Sequence, residues 1–302
     1  MLDAEIVLPG ATADEPAVDE QRELLEAPKK PLGIFFWCCV GWLVLLALAT
    51  IFASFLHLDP PNFPYNNAPF YTNAPPSLAH WLGTDENGRD VLSRLVYGGR
   101  VSLVIGLGGT AIGIFTGGIL GMLSAYVRGR LDAVMSFVAY VFLAFPAIIA
   151  VLCLLFFWGR SEFHIVVILG AFSVPFIFRV VRAATLGCAT KEYVTAAKSQ
   201  GATARRVIAK EIFPNIIPSL IAYTVFTFGG IITTEGALGF LGLSVPSPEA
   251  SWGNMIGGAS SNPTATLAYV FAPAIALFLT LLALNFAGER IRLRFDTNEL
   301  KL

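Results

Sequence analysis

Charge is scarce in this chain. Only 14% of its 302 residues are Asp, Glu, Lys or Arg, against about 25% in soluble domains. With 55% hydrophobic residues in long uncharged runs and a mean hydropathy of +0.68, that excludes an ordinary water-soluble core. A Gly-x-x-x-x-Gly-Lys-Ser/Thr phosphate loop is missing, so the chain alone is not expected to bind or hydrolyse ATP. His57, His80 and His164 stand apart, and no HExxH or other metal-ligand pattern occurs. Cys38, Cys39, Cys153 and Cys188 form no C-x-x-C pair, so neither a zinc site nor a disulfide framework is predicted. They read as small apolar packing residues. Isolated serines in apolar runs have no His and Asp partners for acyl transfer. No catalytic residue, resident cofactor, metal or nucleic-acid partner is expected.

Ionisable residues deep in the apolar runs are nearly absent as well. Glu235 lies toward one end of a run, and Asp132 and Glu289 lie at boundaries. A transporter driven by protons or sodium usually carries carboxylates or broken helices at the membrane midplane. Their scarcity moves the energy source to another polypeptide.

What is present is a set of runs near the ~20 residues a bilayer demands. The pattern predicts an all-α integral membrane protein with about six spans, over residues 32–56, 101–127, 133–158, 163–181, 216–240 and 266–286. Residues 1–31 are acidic and proline-punctuated, unlike a cleaved signal, and read as a disordered cytoplasmic tail. With both termini in the cytoplasm, sixteen of the twenty Lys and Arg fall on the inner side, as the positive-inside rule requires. Among them are Arg22, Lys29, Lys30, Arg182 and Lys301. Arg89, Arg94, Arg100 and Arg160 fall outside, three of them beside Asp85, Glu86 and Asp90. Residues 57–99 then form an outer loop, residues 100–288 a core with five spans, and residues 289–302 an inner tail.

In the outer loop Pro60, Pro61, Pro64, Pro69, Pro75 and Pro76 forbid a long helix before about Gly88. A second outer segment carries Trp252, a candidate marker of the membrane-water boundary. The second span holds Gly109, Gly113, Gly117 and Gly121 at intervals of four, which predicts close helix packing. Gly106 to Ala111 also fits a dinucleotide fingerprint, but it follows no strand and lies within a span. Pro146, Pro175 and Pro273 lie within spans and predict kinks. Pro146, Pro175 and Glu235 are the candidate pathway or gate residues.

The most informative segment is a polar island at residues 190–214, between the fourth and fifth spans. Thr190 is placed to cap a helix reaching Gln200, Gly201 to turn the chain, Thr203 to cap a second short helix, and Pro214 to open the next span. Ala196 and Ala197 leave a shallow face; Tyr193, Val194, Val207, Ile208 and Ile212 supply apolar anchors. Periodicity alone leaves two readings open. The island docks into a partner's groove, or it lies on lipid headgroups.

Ala196-Ala197, Gly201 and Pro214 match the spacing of the EAA loop of bacterial ABC-importer permeases: two alanines, three residues, glycine, twelve residues, proline. Residues 82–95 (LGTDENGRDVLSRL), residues 238–243 (LGFLGL) and Trp252-Gly253-Asn254 resemble the dipeptide/oligopeptide/nickel branch, closest to its C-type subunit. The resemblance covers residue 82 to the end. It implies the type I importer fold and half of a pore for di- or oligopeptides in the bacterial inner membrane. It further implies a B-type sister permease, two ATPase subunits that hold ATP and Mg, and an extracytoplasmic substrate-binding protein. Glu192, Tyr193, Ala196, Ala197, Gly201, Ala202 and Pro214 would couple to the ATPase. Asp85, Arg89, Asp90 and Trp252 would lie on loops facing the binding protein. Nickel or another small solute is the alternative cargo, and a stand-alone channel or secondary transporter the alternative class.

Two departures stand out. Thr195 occupies the loop motif's glutamate position, with Glu192 as a substitute. Phe137 and Tyr140 replace an Arg and an Asp three apart that many relatives carry in the third span, which predicts aromatic packing there.

Overall fold

The computed structural model describes residues 33–62 and 72–299. The predicted tail 1–31, with Arg22, Lys29 and Lys30, lies outside the described residues, as do Leu32, Pro64, Pro69 and Lys301. The described residues are helical, without a named strand. They form α1 (Gly33–Ile51), α2 (Val91–Val127), α3 (Gly129–Ala144), α4 (Ala147–Trp158), α5 (Glu162–Ala189), α6 (Glu192–Ser199), α7 (Ala204–Phe240), α8 (Trp252–Ser261) and α9 (Leu267–Glu299). Helices α1, α2, α5, α7 and α9 are each long and apolar enough to cross a membrane, and α3 with α4 makes a sixth if the bent pair is one span.

The boundaries move where capping or breaking chemistry dictates. Helix α2 starts at Val91 rather than Val101, because Asp90 caps it: its Oδ1 accepts the Ser93 N–H at 2.7 Å. The last turns of the expected outer loop therefore belong to a span. Helix α5 runs on past Val181 to Ala189, since arginine stems can lie along apolar surface and carry their heads outward. The expected third span is bent by 87° between α3 and α4. Pro146 stands at the break with φ −61° and ψ 103°, and Phe145 before it is extended, the conformation forced on a residue preceding proline. Pro214 stands, as expected, in the first turn of the α-helical stretch Phe213–Phe240, which here continues without a break from the earlier turns of α7. A π-helical turn at Val207–Ile212 precedes it, and the ladder widens there rather than ending where proline has no N–H to give.

Helices α2 and α5 approach closely. A Cβ on Gly117 would stand 2.7 Å from the Val174 carbonyl oxygen, one on Gly121 2.7 Å from that of Phe178, and one on Gly113 would overlap Ser173 Oγ. Gly109 meets Gly170 and Ile231. A π turn at Gly113–Gly117 sits at this crossing.

Two larger apolar cores divide the bundle lengthwise, and a third cluster of Val91, Ala250, Met255, Ala259 and Tyr269 lies at the α8 end. One joins Ile105, Val151, Leu155, Ile165, Ile168, Ile231 and Leu238. The other joins Ile177, Val181, Val194, Val207, Ile212 and Ile216. The end carrying α6 is the lower end, and the end carrying residues 72–90 and α8 the upper end.

Phe137 and Tyr140 are both more than half exposed. The ring pair in this region is Phe142 with Phe172, 6.3 Å apart, so the expected aromatic packing does not involve residues 137 and 140 within this chain. On α3 the side chains facing inward are smaller, and Ala139 is the buried one.

Candidate functional site

Helix α6 is an eight-residue outrigger on the lower end. Val194 is fully buried in the lower core, and this one side chain pins the helix to α5 and α7. Glu192, Tyr193, Thr195, Ala196, Lys198 and Ser199 face outward, with Ala197 half-buried. Thr190 does not cap α6. It ends α5 and donates its hydroxyl to Gly187 O at 3.0 Å, so α6 starts after extended Lys191 with no side-chain cap. Thr203 does cap, its Oγ1 accepting the Arg206 N–H at 3.4 Å.

Between them Gly201 has φ +80°, the left-handed region glycine enters without cost. The Gly201 N–H donates to Lys198 O at 3.0 Å and the Ala202 N–H to Ala197 O at 3.1 Å. That bond pair is a Schellman stop. It fixes the angle between α6 and α7. Lys198 Nζ lies over the Tyr126 ring at 5.1 Å. Arg182 on α5 grips Asp132 on α3 with two bonds of 2.6 and 2.7 Å, the bidentate geometry that best matches guanidinium to carboxylate.

The upper end holds a buried ionic network. Asp85 is 0% exposed, and its Oδ1 accepts the backbone N–H of Asn87 and of Arg89, both at 2.9 Å. Its Oδ2 takes the Arg89 Nε at 2.7 Å and stands 3.3 Å from the Arg94 Nε. Arg94 Nη1 donates to Pro61 O at 3.0 Å and to Pro248 O at 3.1 Å, tying three segments together. Asp90 Oδ2 meets His80 Nδ1 at 2.9 Å. Asp85, Arg89 and Asp90, expected on a partner-facing loop, thus turn their side chains inward. Each needs a partner once desolvated, and the short segment supplies it locally.

Trp252 is likewise buried, at 1% exposure, rather than placed at a membrane-water boundary. Its indole N–H donates to Leu95 O at 2.9 Å, and its ring lies against Gly99, where a Cβ would sit 2.9 Å from the ring. A capping box of Ser251 and Asn254 starts α8 there and sets that orientation.

Glu235 is 0% exposed. Ser102 Oγ donates to its Oε2 at 2.9 Å and Ser244 Oγ to its Oε1 at 2.7 Å. The carboxyl group braces α2, α7 and the segment before α8 and does not line the apolar cleft between α3 and α5. Pro175 does: with Val134, Val138, Phe142 and Phe178 it lines that cleft, of about 420 Å³.

Residues 98–297 match the family described as binding-protein-dependent transport system inner membrane component. The chain belongs to this family. It is 33% identical to a glutathione transport system permease protein of Pectobacterium atrosepticum, over 85% of each chain. It is 33% identical to an oligopeptide transport system permease protein of Haemophilus influenzae, over 86% of this chain and 84% of that one. It is 34% identical to a probable D,D-dipeptide transport system permease protein of Escherichia coli, over 83% of each. The chain is therefore a multi-pass membrane permease component of a transport system.

Sequence reasoning alone misses the contacts of Ser102, Ser244, His80 and Arg94. Ser102 and Ser244 carry no sequence signal toward Glu235, because the contacts span 133 and 9 residues and depend on helix packing. His80 and Arg94 have a weak one: a histidine and an arginine flanking a stretch with three acids.

Proposed function

We propose that this permease forms half of the pathway of an ATP-driven importer of short peptides in the bacterial inner membrane. Its termini and α6 then face the cytoplasm, and residues 72–90 and α8 face outward. A B-type sister permease completes the pathway, two separate ATPases hold ATP and Mg, and an extracytoplasmic binding protein delivers the peptide. Peptide cargo is supported by the names of the relatives, which are glutathione, oligopeptide and dipeptide systems. The inward orientation is supported by the distribution of Lys and Arg.

The observation that carries the coupling is the split personality of α6. One buried anchor, Val194, ties it to the core that α5 and α7 share, while Tyr193 and Ala196 are left outward. A push on that face reaches both long helices. The ATPase would seat on Glu192, Tyr193, Ala196, Ala197 and Ala202, with Gly201 holding the angle and Pro214 following the π turn. Closing the ATPases would shift α6, α5 and α7 together. The Pro146 bend and the cleft at Pro175 are where α3 and α4 would yield, each state being favoured by different partner contacts. The glycine stripe on α2 would be the surface along which α5 moves.

The test is reconstitution of the four-subunit complex with its binding protein. Ala197→Glu places a charge on the docking face, and Gly201→Pro cannot adopt φ +80°. Both should reduce nucleotide-driven peptide uptake to the level seen without nucleotide, while membrane insertion persists. Full uptake by both variants removes the docking assignment. Uptake by this chain alone without nucleotide would replace the importer with a stand-alone transporter.

A further inference from the structure

The upper end hides its charges and displays apolar side chains instead. Leu78 is 100% exposed and Trp81 72%, with Pro75, Pro76 and Ala79 exposed around them. An exposed leucine and tryptophan three residues apart are unfavourable in water unless something covers them.

The segment that carries them is held firmly. Thr84 N–H donates to Ala74 O at 3.1 Å, Ala74 N–H to Thr84 Oγ1 at 2.9 Å, and Asn73 N–H to Asp85 O at 2.9 Å. Ser77 N–H donates to His80 O at 2.8 Å and His80 N–H to Ser77 Oγ at 3.1 Å, closing a tight turn with Leu78 and Ala79 at its tip. His80 between the two apolar side chains is buried, with its ring on Asp90, the cap of α2. Gly83 has φ +78°, and a Cβ there would overlap Ala74 O. Little ordering entropy remains to be lost when such a surface meets a partner.

Its charge selects between a lipid surface and a protein. Within residues 72–90 the exposed charged residue is Glu86, while Arg89 is buried. Asp59, about half exposed, stands beside His80 at 3.9 Å. Segments that lie on headgroups carry Lys and Arg; this one is flanked by acids.

We propose that Leu78 and Trp81 form a fixed apolar knob that enters a recess, rimmed by basic side chains, on the substrate-binding protein. The buried Asp85–Arg89–Arg94 and His80–Asp90 contacts are the framework that holds the knob out. The assignment rests on the importer reading above and adds the contact it leaves unassigned. Tryptophan is among the residues enriched at interface hot spots.

The experiment uses the complete complex in lipid nanodiscs, with its purified binding protein. Affinity for the binding protein and its stimulation of ATP hydrolysis are measured for wild type and for Leu78→Ser/Trp81→Ser. Both side chains are exposed, so basal hydrolysis should be unchanged. Affinity should fall by roughly 30-fold or more, the loss expected of a hot spot, and stimulation with it. Wild-type affinity in the double variant overturns the knob. A wild-type complex indifferent to every binding protein overturns the importer reading instead. Fluorescence quenching by brominated lipid that disappears in Trp81→Phe would place the side chain in the bilayer and also overturn the proposal.

Discussion

The two ends of the bundle are built on opposite plans. At the lower end apolar side chains make the joint: Ile177, Val181, Val194, Val207 and Ile212 are buried, and the polar residues of α6 face out. At the upper end a buried ionic network is added to a small apolar cluster of Val91, Ala250, Met255, Ala259 and Tyr269: Asp85, Arg89, Asp90 and Arg94 are buried, and Leu78 and Trp81 face out. An apolar joint has no directional bonds and tolerates small shifts. An ionic joint with every oxygen assigned has one good geometry and resists them. A part that transmits movement suits the first plan, and a rigid platform suits the second.

The sharpest way to break this contrast is to remove the hub of the upper end. Asp85→Ala leaves Arg89 and Arg94 buried without their carboxylate. Breaking such a pair from one side costs about 3–5 kcal/mol. We expect a large drop in thermal stability of the purified complex and poor membrane yield. A variant with wild-type melting would mean that the network is open to water and that the upper end is not rigid.

Between the two ends the α2–α5 crossing offers an internal control. Gly113→Val drives a side chain into Ser173, and overpacking of this kind costs about 3 kcal/mol. Five residues on, a Cβ at Gly118 meets nothing within 4 Å. Gly118→Ala should be neutral or stabilising by up to about 1 kcal/mol from helix propensity. Equal destabilisation by both would refute close contact at the crossing.

At the upper end a milder lesion tests the brace. Ser244→Ala removes the donor to Glu235 Oε1 and should cost about 1–2 kcal/mol for a buried acceptor left short of a donor. Glu235→Gln keeps an acceptor for one serine and should cost less than Glu235→Ala. Thermal unfolding of the three variants in one detergent gives the order; a reversed order would exclude the bridging role.

Much of the fold can be read from the chain because the bilayer imposes a length. Six apolar runs need no tertiary information. The break of the third run is harder: proline promises a kink, but the 87° between α3 and α4 depends on where α4 rests, with Val151 and Leu155 against α5. The island is legible for a local reason, since the Schellman stop at Gly201 is written in adjacent residues. The upper end misleads for the opposite reason. Asp85, Arg89 and Asp90 look like surface charges, and only the arrival of Pro61 and Pro248 carbonyls at Arg94 shows that the segment is covered. Trp252 misleads likewise, because the glycine that admits its ring, Gly99, lies on another helix.

The smallest expected effect returns to the lower end. Lys198 over the Tyr126 ring is the one cation–ring contact joining α6 to α2 among the described residues. On exposed surface such a contact is worth about 0.5–1 kcal/mol. If the lower joint is apolar, Tyr126→Leu keeps bulk beside the core, removes only the ring's attraction for the ammonium, and should leave α6 seated. Melting should shift by a degree or two at most, about what so small a contact allows in a chain of this length, and peptide uptake by the reconstituted complex should stay within about twofold of wild type. Val194→Ser in the same background should do what Tyr126→Leu does not, because it removes the single buried anchor of α6. If instead Tyr126→Leu uncouples transport while Val194→Ser does not, α6 is held by charge, and the opposition between a yielding lower joint and a rigid upper one fails.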